Sequence, residues 1–433
     1  MTQKQNSNVP AIIVCILLFG MISFVTNLAS PMGDVLKFYL AGQEITIPNW
    51  MATLGVFCNF IAYAVMGVPG GVILQKKGYK FTALLAVTIG FVGVGVQTLA
   101  GLLSGVTAFG VYLLGAFIAG FSMCLLNLVV NPMLNKLGGG GNRGNQLVQV
   151  GGSFNSLMGT AVIFLTGVFV PEIAKAQISQ VFPLMGIALA IFALAFVVIL
   201  FTKIPENPVV EAKVEEKSQY GPMSFRHFVL GAVAIFIYVG VEVGIPNLLN
   251  DWLIDPNAVA LSTGVAGMVT GTYWLLMLVG RLLGAAVGAK VSAKAMLAAV
   301  SVLGLGFVVG AIFLNPAILV KMPVFDGANG FTMAEVPINA ALLVLCGLCT
   351  SVMWGGIFNL AVEGLGKYTE KGAGIFMAMV CGGGILPLLQ GVVVTATKGN
   401  YLASYWVIAA GLLFLLYYAL VGSKNVNKNI PTE

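Results

Sequence analysis

The stretch Ile204-Pro-Glu-Asn-Pro-Val-Val-Glu-Ala-Lys-Val-Glu-Glu-Lys-Ser-Gln-Tyr-Gly-Pro-Met-Ser-Phe-Arg226 is the longest charged, non-apolar run in the chain, and it divides the 433 residues nearly in half. On either side the sequence is dominated by long apolar stretches. Before it they fall near residues 11–40, 48–75, 81–103, 107–134, 145–171 and 181–202. After it they fall near 225–250, 262–287, 293–315, 339–365, 372–396 and 401–422. Each is long enough to cross the hydrocarbon core of a bilayer, which takes about 20 apolar residues in a helix. The segments do not alternate polar and apolar residues with period two, so strands of a membrane barrel are excluded. The expected architecture is all-α and membrane-embedded: twelve spans in two bundles of six, 1–202 and 225–433, with the linker 203–224 between them.

Composition agrees. Hydrophobic residues make up 59% of the chain and charged residues 8%, whereas soluble domains carry about 25% charged residues. Mean hydropathy is +0.99. With the N-terminus placed in the cytoplasm and the spans alternated, only Lys37, Lys175, Lys321 and Lys398 of the 21 lysines and arginines fall outside. That asymmetry predicts both termini in the cytoplasm, because positive charge is retained on the inner side. The net charge of +6 is thereby a topology signal, and no nucleic-acid partner is called for. The first span resembles a signal peptide, but Asn27, Pro31 and Asp34 make a poor cleavage site, and it is read as retained. Cys346-x-x-Cys349 lies inside a predicted helix with no partner pair and is read as core.

The halves look like copies of one another. Asn127-Leu-Val-Val-Asn131 in the fourth span matches Asn359-Leu-Ala-Val-Glu363 in the tenth. At the same offset Gly151, Gly152, Gly159 and Gly167 fall on Gly383, Gly384, Gly391 and Gly399. In the first span Asn27-x-x-x-Pro31 matches Glu242-x-x-x-Pro246 in the seventh, with the long outer loop near 315–338 accounting for the step between offsets. A six-plus-six repeat of this kind is a transporter signature.

Each motif then finds a counterpart in a known family. Gly70-Gly-Val-Ile-Leu-Gln75-Lys-Lys-Gly78-Tyr-Lys80 resembles the loop signature of the major facilitator superfamily, with Gln75 where the signature has an acid. Asn131-Pro132, Ser153-Phe-Asn-Ser156, Tyr238-Val-Gly-x-Glu242, Thr270-Gly-Thr272, Gly280-Arg281 and Gly382-Gly-Gly-Ile385 with Pro387 and Gly391 are similar to fucose permeases and related sugar symporters. The resemblance implies two bundles moving about a central site, lined by the first, fourth, seventh and tenth spans. It also implies an acid in span one and another in span four. Here those positions hold Ser30 and Asn127.

Polar groups deep in a membrane are costly and usually face a cavity or a neighbouring helix. The candidates for lining a solute site are Asn27, Asn127, Asn131, Glu242, Asn247, Trp354 and Asn359, with Gln149 and Asn155 of the fifth span. Amides donate and accept together, which suits sugar hydroxyls, while Tyr63, Tyr273, Trp274 and Trp354 offer flat apolar faces. Pro31 and Pro246 each free the carbonyl four residues earlier, those of Asn27 and Glu242; broken helices there would mark the site. Glu242 is the one carboxylate deep in a predicted span and is the expected coupling group, for a proton or for sodium. Coupling through Glu242, coupling to sodium and uncoupled facilitation all stand at this point. Arg281 reads as belonging to the cytoplasmic end of the eighth span, which leaves no cation at mid-depth and favours a neutral solute over an anionic one.

Enzyme classes fit poorly. His227 is the sole histidine, and Gly138–Gly141 lacks the Lys-Ser/Thr of a phosphate loop. The expectation is a monomeric, multi-pass protein of the plasma membrane that needs no cofactor and transports a hexose or related sugar. A sugar facilitator or a multidrug exporter is the alternative.

Overall fold

The computed structural model describes residues 9–41, 54–169, 178–205, 220–255, 257–326, 330–427 and 429–432. The middle of the expected linker 203–224 lies outside the described residues. The protein is helical: α1 Val9–Ala41, α2 Leu54–Ala100, α3 Gly105–Leu137, α4 Gly141–Phe169, α5 Phe182–Phe201, α6 Arg226–Ile254, α7 Thr263–Val287 and α8 Ala293–Phe313. A hairpin of β1 Leu319–Asp326 and β2 Gly330–Pro337 follows, then α9 Ile338–Thr350, α10 Met353–Val362, α11 Thr369–Ala378, α12 Gly382–Ala396 and α13 Tyr401–Tyr417.

Among the described residues ten helical runs are long and apolar enough to cross a membrane. One of them is two spans. α2 changes direction at Gly78, whose φ of 79° and ψ of 179° are not helical, so the expected loop after the second span shrinks to a turn that only glycine accommodates cheaply. Directly after it, the ammonium of Lys80 donates to the carbonyls of Leu200 and Thr202 at 2.8 and 3.1 Å, at the C-terminal end of α5, where a cation meets the negative pole of the helix. α4 is more polar than its neighbours, yet its 29 residues reach about 44 Å at 1.5 Å per residue, which is enough to cross. The surface bears many exposed large apolar side chains, among them Leu102, Leu194, Phe201 and Phe313. Such a surface belongs in lipid rather than in water. This is a multi-pass membrane protein.

Three expectations about helix continuity change. The tenth stretch is interrupted at Ser351–Val352, between α9 and α10. The eleventh is interrupted by a 3₁₀ turn, Met379–Cys381, before the Gly382-Gly-Gly run. Pro246, by contrast, does not break α6. The expected outer loop at 315–338 is an antiparallel hairpin in which Val320 pairs with Val336 and Val324 with Thr332. Alternating burial along β2 and two buried valines, Val324 and Val336, show why. Period-two patterning is there, but in a segment flanked by spans it is easily taken for loop.

The chain divides into two compact units. The first comprises Met1–Leu137, Leu157–Gly221 and Lys367–Met379; the second comprises Gly138–Ser156, Pro222–Gly366 and Val380–Glu433. In the first, α1 and both halves of α2 pack with α3 around Phe24, Leu28 and Tyr112. In the second, α6 is the central helix and buries Phe228, Tyr238 and Leu249 against α10, α12 and α13.

Candidate solute site

Glu242 lies on α6 with its side chain 13% exposed, and its Oε1 accepts from Nη2 of Arg281, on α7, at 3.3 Å. Arg281 itself is 8% exposed. The expectation that no cation accompanies Glu242 is therefore corrected: Arg281, in the last two turns of α7, is buried beside it. Desolvating either charge alone in a low-dielectric interior is expensive, and each offsets the other. The pair is neutral overall.

The same guanidinium serves four further oxygens. Nη1 donates to the Gly152 carbonyl at 2.9 Å, to Oδ1 of Asn155 at 3.1 Å and to Oγ of Ser156 at 2.8 Å, all on α4. Nε donates to the Ser351 carbonyl at 3.3 Å. That carbonyl is available because the helix is interrupted at Ser351–Val352. At the same break, Nε2 of Gln149 donates to the Val352 carbonyl at 3.0 Å. The interruption thus makes the Ser351 carbonyl an anchoring point for Arg281, while the Val352 carbonyl, which also accepts from the Gly356 N–H at 3.2 Å, takes Gln149 as a second donor.

Pro246 acts as its chemistry requires, without interrupting the helix. Lacking an N–H, it leaves the carbonyl of Glu242 without an intrahelical donor, and the hydroxyl of Tyr273 donates there instead, at 3.2 Å. Tyr273 is fully buried and its hydroxyl also lies 2.9 Å from Oγ1 of Thr350. Tyr238 precedes Glu242 by one turn on the same face, and its ring centroid is 6.3 Å from that of Trp354. Tyr273→Phe is expected to cost about 1 kcal/mol of stability, the worth of a typical buried hydrogen bond. The same change in a Pro246→Ala background should cost less than half as much, because the backbone N–H restored at position 246 then satisfies the Glu242 carbonyl. Thermal unfolding of the four proteins checks this; equal costs in both backgrounds would disprove the assignment.

Of the candidates read from the sequence, Asn155 and Glu242 contact Arg281, Gln149 bonds the Val352 carbonyl and Trp354 lies against Tyr238, all in the second unit. Asn359 is buried on α10 and Asn247 is exposed on α6. Asn27, Asn127 and Asn131 belong to the first unit. There Nδ2 of Asn27 donates back to the carbonyl and Oγ of Ser23 at 2.8 and 3.0 Å. Nδ2 of Asn131 donates to Oδ1 of Asn127 at 3.1 Å, and Nδ2 of Asn127 donates to the Tyr63 hydroxyl at 2.9 Å. The shared face of Asn127 and Asn131 is thus a relay that includes Tyr63. Arg281, Ser156 and Thr350 were not among the candidates. The available signal was the Gly280-Arg281 dipeptide, whose arginine reaches inward instead of toward the membrane surface.

No family model matches the chain. The fold is nevertheless that of the crystal structure of the Escherichia coli fucose:proton symporter, with a TM-score of 0.77, 19% identity, and 97% of this chain and 100% of that one covered. The chain has the major facilitator fold. Among sequences, it is 27% identical over 98% of its length to a glucose/galactose transporter of Brucella abortus, covering 97% of that protein. It is 28% identical over 97% of its length to a putative glucose/galactose transporter of Helicobacter pylori, covering 98% of it. The resemblance to fucose permeases and their sugar-transporting relatives read from the motifs therefore extends over essentially the whole chain.

Proposed function

We propose that this protein carries a hexose or closely related neutral sugar across the plasma membrane by alternating access, driven by a proton gradient. The observation that carries the reading is the buried Glu242–Arg281 pair, set among amides and aromatic rings in a chain related end to end to glucose/galactose transporters. A carboxylate accepts from sugar hydroxyls, a guanidinium and amides donate to sugar oxygens, and the Tyr238–Trp354 faces suit the apolar side of a pyranose ring. Solute and proton meet at Glu242, which takes over the coupling role of the acids replaced by Ser30 and Asn127. The moving parts are bundles 1–202 and 225–433, joined through 203–224, with Asn27, Asn127, Asn131, Asn247 and Asn359 completing the lining between them. Both termini face the cytoplasm, the working unit is a monomer in lipid, and Gly151-Gly152 and Gly383-Gly384 permit close helix approach.

The test is uptake of labelled glucose, galactose and fucose into proteoliposomes, with proton and sodium gradients imposed separately. Accumulation above equilibrium with an inward proton gradient alone is the expected result. Accumulation driven by sodium would replace the coupling ion, and equilibration indifferent to both would make the protein a facilitator. No movement of any of the three sugars would overturn the sugar reading and favour an exporter.

A further inference from the structure

Arg281 is bound to more than the solute site requires. Three of its five acceptors lie within five residues of α4, Gly152 to Ser156, and all three contacts, at 2.9, 3.1 and 2.8 Å, are shorter than its 3.3 Å bond to Glu242. α4 is one continuous helix from Gly141 to Phe169, yet its residues up to Ser156 belong to the second compact unit and those from Leu157 onward to the first. The change of unit falls directly after the last side chain that Arg281 holds. Further along the same half of the helix, Gln149 bonds the Val352 carbonyl and Nε2 of Gln146 donates to the Ala285 carbonyl at 3.1 Å. Arg281 differs from these amides in being charged, and so in responding to the charge of its neighbour.

We infer that Arg281 is a positioning residue whose hold on the first half of α4 is set by the state of Glu242. This rests on the reading of Glu242 as the group that changes charge or partners during transport. The direction follows from electrostatics. While Glu242 is ionised, it competes with the α4 oxygens for the guanidinium. Once a proton neutralises it, or solute hydroxyls occupy its oxygens, the charge on Arg281 keeps only neutral oxygens as partners: those of Gly152, Asn155 and Ser156, and the Ser351 carbonyl. Tyr238 on α6 and Tyr273 on α7 also face this region, and neither carries a charge that could take over the role of Glu242. A buried cation without its anion draws on whatever acceptors remain, so neutralising Glu242 tightens α4 and ionising it loosens α4. A lysine at 281 keeps the charge but cannot span acceptors on three elements, because it presents a point charge in place of a planar fork.

The measurement is amide hydrogen exchange of the full-length protein in lipid nanodiscs, without solute, followed over residues 142–156. Relative to the parent, Glu242→Gln should slow exchange there by at least about threefold, and Arg281→Lys should accelerate it by a similar factor, since exchange reports local opening. The double variant should behave like Arg281→Lys, because Glu242 acts through Arg281. Unchanged or faster exchange in Glu242→Gln, alongside acceleration in Arg281→Lys, would reduce Arg281 to a static prop and overturn the inference. No change in either variant would overturn it as well. Labelled-sugar binding on the same samples reports separately on the transport reading, so the two can fail independently.

Discussion

Arg281→Ala is expected to lower the stability of the protein by about 3–5 kcal/mol, the usual consequence of removing one member of a buried ion pair. The loss has two parts. Glu242 is left with its charge largely out of water and no cation beside it. The oxygens of Gly152, Asn155, Ser156 and Ser351 each lose a charge-assisted donor. The free cysteines provide a readout, because Cys15, Cys124, Cys346 and Cys349 are buried and become reactive to a thiol-specific fluorophore only as the fold opens. The apparent Tm in detergent should fall by roughly 10 °C, taking 2–4 °C per kcal/mol for a unit of this size. Adding Glu242→Gln to Arg281→Ala should recover a substantial share, since it removes the orphaned charge while keeping the shape. A double variant no more stable than Arg281→Ala would mean that the cost came from α4 and the helix break rather than from the ion pair.

Glu242→Gln alone should cost less stability than Arg281→Ala, because the guanidinium it leaves behind keeps four other acceptors, and it should have a large effect on work. Accumulation of sugar against its gradient is expected to collapse to equilibrium. Counterflow exchange of labelled for unlabelled sugar should remain within about tenfold of the parent, because the glutamine still offers an acceptor to a sugar hydroxyl and loses only part of the charge-assisted component. A pH-dependent uptake rate in the parent should become flat in the variant. Loss of exchange together with accumulation would make Glu242 a solute ligand before anything else. Retained accumulation would remove Glu242 from coupling altogether and direct attention to the Tyr63–Asn127–Asn131 relay in the other unit.

The class and the broad fold were legible in the chain because membrane insertion is decided locally. Each window of about 20 residues either can or cannot bear transfer into hydrocarbon. Glu242 was legible for the same reason, as a charge where a span tolerates few. Pro246 was half legible. Its missing N–H correctly pointed to the Glu242 carbonyl, but whether the helix would break there or find a substitute donor depended on Tyr273, 31 residues away in sequence.

Arg281 shows where such reading stops. A long cationic side chain one turn or two from a helix end can extend to the membrane surface or turn inward, and its own neighbours in sequence are the same in either case. The direction is decided by which oxygens three other elements bring within reach: a carboxylate on α6, a carbonyl at the interruption after α9, and the Asn155–Ser156 face of α4. That interruption, the 3₁₀ turn at Met379–Cys381 and the hairpin at 319–337 were likewise settled by packing, since apolar residues with interspersed glycines are compatible with continuous and broken helices alike. The sequence by itself determined that this is a helical, multi-pass membrane protein with Glu242 inside one of its spans, because those properties are sums over adjacent residues. Only the tertiary structure decided that the carboxylate has a cationic partner and that this partner also grips α4, because hydrogen-bond partners in a bundle are chosen by helix crossings between residues far apart in the chain.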